Sequence, residues 1–132
     1  MKVTYSPEDG DEQVFDYNPN RLLSAEREAL EKRTGRAFNQ FAQGVLKGDS
    51  LCRRALLHVL LKRQHPTLSF DDVDFCWDEL KVEMTKGEIT LAVERAREKN
   101  GDEDMIDAML KGYDEAPDDE GGPGKARLPF AV

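Results

Sequence analysis

The sequence predicts a mainly α protein: a small bundle of about five helices with a short N-terminal β-hairpin and a disordered acidic C-terminal tail. Three observations predict it. From Ser24 to Lys111 apolar residues recur at three- and four-residue spacing, the period of a helix buried along one face. Before that stretch, Val3, Tyr5, Val14, Phe15 and Tyr17 flank Glu8-Asp9-Gly10-Asp11, and Asp-Gly is a strong turn signal. After it, Pro117-Asp118-Asp119-Glu120-Gly121-Gly122-Pro123-Gly124 offers almost nothing to bury. The organisation expected is a single helical domain over 1–112, its hairpin within about 1–17, followed by a flexible tail over 113–132.

Each helix has local signals. Ser24 is placed to cap the first, whose opening turn carries Glu26 and Glu28, and Gly35 is placed to end it in a left-handed conformation. Phe38, Phe41, Ala42, Val45 and Leu46 form the stripe of the second, which Gly48 stops. Asp49 or Ser50 caps the third. Its face of Cys52, Ala55, Leu56, Val59 and Leu60 is widened by Leu51, Leu57 and Leu61, which marks it as the centre of the core. His65-Pro66 ends it. Ser69-Phe70-Asp71-Asp72 is similar to a capping box and introduces Val73, Phe75, Cys76, Trp77 and Leu80 as a turn leading into a helix. Thr85 to Lys99 places Ile89, Ala92, Val93 and Ala96 in helical register and closes at Asn100-Gly101. A last helix from Asp102 shows Met105, Ile106, Met109 and Leu110 and ends at Lys111-Gly112.

Composition narrows the function classes. A chain of 132 residues with 39% apolar and 35% charged residues has a modest core under a heavily charged surface. Its formal charge of −8 disfavours nucleic acid and anionic membranes as partners. The basic exceptions, Lys62-Arg63-Gln64-His65 with Arg53 and Arg54, read as a solvated helix face with a C-terminus complementing the helix dipole. Leu56 to Leu61 is the longest apolar stretch, far short of a membrane span and broken by His58, and the N-terminus lacks the apolar centre of a secretory signal. Cys52 and Cys76 both sit among apolar residues and are expected to be buried free thiols of a cytoplasmic protein.

Chemistry is sparse. Nucleophilic catalysis needs a base in reach, and only His58 and His65 are available as imidazoles, one beside the core face and one at a helix end. No phosphate-binding glycine loop is present. Cys52, His58, His65 and Cys76 are zinc-type residues without zinc-type spacing, and Cys52 and His58 lie about 240° apart around their helix. Asp71, Asp72 and Asp74 invite a calcium reading. Counting from Asp72, however, Cys76 and Trp77 fall where an EF-hand loop needs an oxygen ligand and a glycine. No enzyme activity, catalytic residue, metal or cofactor is expected. Two features point elsewhere: Phe70, Phe75 and Trp77 crowd beside three aspartates, and the acidic tail has the composition of a tether or of a segment that orders on binding.

The order of features is distinctive. A strand-like start leads to a helix ending Glu31-Lys32-Arg33-Thr34-Gly35, then the Phe38/Phe41 helix. The Leu-rich helix Ala55-Leu56-Leu57-His58-Val59-Leu60-Leu61-Lys62-Arg63 follows, then the run Ser69-Phe70-Asp71-Asp72-Val73-Asp74-Phe75. Over about residues 3–98 this resembles the tail assembly chaperones of long-tailed bacteriophages, particularly those infecting actinobacteria. The resemblance implies a protein of the host cytoplasm, absent from the mature virion. Such a protein binds the tape-measure protein, keeps it soluble and promotes tail tube assembly. It implies as partners the tape-measure protein, the tail tube protein and a longer frameshifted form of the chain itself, with homo-oligomerisation open. Gly124-Lys125 is compatible with a slippery codon run, while the tail after Gly112 has no counterpart in the shared pattern.

A client-binding surface is expected at Leu57 and Leu61, on the side of the Leu-rich helix away from its main stripe, and at Phe75 and Trp77, because one core stripe does not account for them. Two other roles fit the same composition. One is a structural head–tail or tail component retained in the virion, and the other is a small acidic regulator of a basic nucleic-acid-handling protein.

Overall fold

A computed structural model describes residues 1–119. Strands β1 (Lys2–Tyr5) and β2 (Gln13–Asp16) precede helices α1 (Ser24–Thr34), α2 (Phe38–Lys47) and α3 (Ser50–Lys62). Strand β3 (Leu80–Glu83) and helices α4 (Lys86–Glu98) and α5 (Glu103–Lys111) follow. The mainly α class holds, and the expected hairpin is part of a three-stranded antiparallel sheet ordered β2-β1-β3. Among the described residues, 3–82 form one compact unit, and 1–2 with 83–119 form another.

In the first unit α1, α2 and α3 pack on one another around Leu30, Phe38, Phe41, Val45, Leu56 and Leu60. The corners between these helices are tightly specified. Gly35 takes φ 67° and donates its N–H to Glu31 O at 2.8 Å, while the Glu31 carboxylate takes the Phe38 N–H at 3.0 Å. One glutamate thus ends α1 and starts α2, which explains the sharp step after Thr34. Gly48, at φ 87°, ends α2, and the Asp49 carboxylate takes the Cys52 N–H at 3.0 Å to cap α3. The α1 start differs from expectation. Ser24 is already helical, and Leu23 holds the cap position with its N–H bound by Glu26 at 3.0 Å. Gly44 is internal to α2, and a methyl group there would lie 2.7 Å from Cys52 Sγ, so the glycine is what lets α2 and α3 approach.

The helix expected after Ser69 is not formed. The chain makes a 3-10 turn at Phe70–Asp72, runs extended, makes a second at Trp77–Glu79, and enters β3. Side chains of α3 claim the carbonyls a helix would need: Arg54 donates to Val73 O at 2.5 Å and to Phe70 O at 3.2 Å. His58 Nε2 donates to Leu68 O at 2.9 Å. The Phe70 ring lies beneath the Arg33 and Arg54 guanidinium groups, at 4.2 and 4.3 Å. Pairing of β3 in the sheet completes the override of local helical signals.

The second unit is a helical pair, α4 and α5, closed around Ile89, Val93 and Ile106. Thr85 and Glu88 form a capping box at the start of α4, and the Met1 ammonium lies 2.7 Å from Glu88. Residues 113–119, read from sequence as the beginning of the tail, are bound to this unit. Tyr113 and Ala116 pack on its core, Pro117 O takes the Lys86 N–H, and Asp119 takes the Gly87 N–H at 3.0 Å and the Thr85 hydroxyl at 2.5 Å. The remainder of the expected tail, residues 120–132 with the Gly124-Lys125 pair, lies outside the described residues.

Candidate protein-binding surface

Trp77 is the most conspicuous side chain of the first unit, a large aromatic left 49% exposed. Its six-membered ring edge lies against Gly48, where an added methyl group would come within 3.4 Å. The Arg53 guanidinium sits 5.1 Å from the ring centroid and is itself fixed by donating Nε–H to Val45 O at 2.8 Å. Leu46 and Leu51, on either side of the same α2–α3 corner, are also exposed. The indole is therefore held in place by its surroundings while keeping much of its surface in water.

The loop beneath it is anchored at both ends. At its start, Arg54 and His58 hold the backbone of 68–73. At its end, Glu79 accepts the N–H of Cys76 at 2.7 Å and of Glu8 at 2.8 Å, and its carbonyl takes the Ser6 N–H at 2.8 Å. Phe75 is half-buried, edge to face with Tyr5 at 6.3 Å. Cys76 is exposed, not buried as its apolar neighbours implied, because the extended loop alternates sides and turns this residue outward. Glu79, loss of hydration, and then Asp78, Glu8 and Asp74 push its thiol pKa up.

Of the four sequence-predicted interface residues, the structure brings Phe75 and Trp77 together on one anchored loop. Leu57 is a correction. It is 1% exposed, because α3 is enclosed on more than one side and buries Cys52, Ala55, Leu56, Leu57, Val59 and Leu60 together. Leu61, one turn on, is only half-buried. Sequence reasoning missed Leu46, Leu51, Arg53 and Gly48. Gly48 was legible as a helix stop, but nothing local tells that the distant Trp77 indole will rest on it.

The zinc-type residues are dispersed. Cys52 is buried, with Arg36 Nη1 2.8 Å from its sulfur and 2.6 Å from Asp49, and burial pushes its thiol pKa up. His58 is committed to Leu68. Among the described residues no three His, Cys, Asp or Glu side chains converge as a metal site would require. A pocket of about 220 Å³ is lined by Asp16, Tyr17, Asn18, Arg21, Leu22 and Arg63. Its Arg63 is already engaged in a two-pronged pair with Glu26, both contacts at 3.0 Å. No described helix is long and apolar enough to cross a membrane.

No family model, curated protein or solved structure matches this chain. Trp77 is thus a half-exposed aromatic bordered by Gly48 and the Arg53 guanidinium.

Proposed function

We propose that this protein is a phage tail assembly chaperone that binds the tape-measure protein in the host cytoplasm, keeps it soluble and promotes tail tube assembly. The observation that carries the reading is Trp77, held half-exposed over Gly48 at the α2–α3 corner, whose own Leu46 and Leu51 are exposed as well. A chaperone for long amphipathic helices needs an apolar surface that stays open on a soluble, charged body. The sequence marks behind the resemblance support it as well. Glu31–Gly35 is the α1–α2 corner, and the Ser69–Phe75 run is the segment that Arg54 of α3 holds.

Co-expression with a phage tape-measure protein tests the reading. The wild-type chain should move that protein into the soluble fraction, and Trp77→Ala should reduce the effect while the far-ultraviolet helical signal stays unchanged. A client equally insoluble with and without the chain would sink the proposal. Mass spectrometry of purified virions supplies a second check. The chain should be missing or strongly depleted, and stoichiometric retention would favour a structural tail component.

A further inference from the structure

We infer that the Trp77 surface takes a cationic amphipathic helix of another protein, its apolar side chains against the indole and its lysine or arginine side chains against the surrounding carboxylates. That the partner is helical rests on the proposed function; that it is cationic rests on the charge of this surface. Residues 5–16 and 69–80 hold ten carboxylates and no lysine or arginine. The two segments form one surface, since the Glu79 side chain binds the Glu8 N–H, the Glu79 carbonyl binds the Ser6 N–H, and the Tyr5 and Phe75 rings meet. Glu8, Asp74 and Asp78 are exposed on it. With Glu79 first, these carboxylates also push the thiol pKa of the adjacent Cys76 up.

Of the cations nearby, Lys47 is exposed next to Gly48, and two arginines are held by backbone carbonyls. Arg53 donates to Val45 O beside the Trp77 ring, and Arg54 donates to the Val73 and Phe70 carbonyls. An acidic partner would set like charges against this border, whereas a basic one gains both encounter rate and register from it. Trp77 supplies the apolar half of the match.

Trp77 is the chain's only tryptophan, so its fluorescence reads this surface alone. Three probes separate the terms: a helix-forming leucine–lysine peptide, its leucine–glutamate counterpart, and oligolysine. The leucine–lysine peptide should shift the emission to the blue in a saturable way. Asp74→Asn and Asp78→Asn should each weaken that binding about two- to fivefold, the range of an exposed ion pair, with unchanged circular dichroism. The leucine–glutamate peptide and oligolysine should leave the emission unmoved. Equal binding of the leucine–glutamate peptide, an equal response to oligolysine, or leucine–lysine binding without an emission change would each overturn the inference. The two proposals fail separately. If the leucine–lysine peptide docks at Trp77 but the client stays insoluble, the chaperone reading falls and the cationic surface stands. If the client is solubilised through Trp77 but is indifferent to the aspartate substitutions, the chaperone reading stands and the preference for a cationic helix falls.

Discussion

Leu57 and Trp77 should respond to truncation in opposite ways. Leu57 is enclosed in the first unit, so Leu57→Ala removes buried methyl groups and leaves a cavity, at a cost of about 2–5 kcal/mol. Chemical denaturation should show a much lower midpoint for that variant. Trp77→Ala gives up an indole already half in water, so its midpoint should move far less while partner binding suffers. Gly44 is a subtler case. Alanine is worth about 1 kcal/mol over glycine inside a helix. The added methyl group would nevertheless lie 2.7 Å from the buried Cys52 sulfur, and overpacking of that kind costs about 1–3 kcal/mol. Gly44→Ala should therefore come out neutral to destabilising, and a clear gain in thermal midpoint would show that α2 and α3 separate easily.

At the scale of elements, the segment 69–80 and the start of α4 show side chains deciding what the backbone does. Ser69-Phe70-Asp71-Asp72 looks locally like a helix start, yet Arg54 and His58 take the carbonyls of the segment and β3 takes its end. The α4 N-terminus is closed by residues from beyond α5: Asp119 holds the Gly87 N–H and the Thr85 hydroxyl, and Pro117 O holds the Lys86 N–H. Asp119→Ala removes a negative charge from a helix N-terminus together with a cap bond. The loss should be about 0.5–1 kcal/mol, read as faster hydrogen exchange at Gly87 with the amides of α3 unaffected. Equal acceleration in both places would mean that Asp119 supports more than its own unit.

At the scale of the whole molecule, acid should weaken the fold through particular pairs. The hydrogen bond from Arg63 holds the Glu26 carboxyl below its ordinary value of 4.5. The Cys52 N–H, then Arg36, holds Asp49 below 3.8. Both pKa values are depressed in the folded state, so their stabilisation is complete above those ordinary values and drains away as pH falls through the folded ones. Protonation of the many exposed carboxylates relieves repulsion and acts in the opposite sense, but salt screens that term. In about 0.3 M salt, where the screening length is shorter than 8 Å, the denaturation midpoint should fall as pH drops below about 4.5. Arg63→Met should flatten the Glu26 part of that slope, and an unchanged slope would show that the pair contributes nothing.

The segment after Ser69 does not form the expected helix. By contrast, the helical periods, the glycine stops at 35 and 48 and the Asp49 cap are set by neighbours within a few residues, so the ends of α1 and α2 and the start of α3 were readable from the chain alone. So was the candidacy of Phe75 and Trp77, which rested on residue type. Which apolar residues stay exposed is settled by packing between distant segments. α3 is enclosed on more than one side, so Leu57 is buried, while the segment 73–79, extended and then turned at Trp77–Glu79, leaves Cys76 and Trp77 exposed and sets the indole on Gly48. The third strand and the binding of 113–119 to α4 likewise join residues far apart in sequence. Local physics specifies a helix and its ends; what covers each face depends on where the rest of the chain arrives, and only the folded molecule determines that.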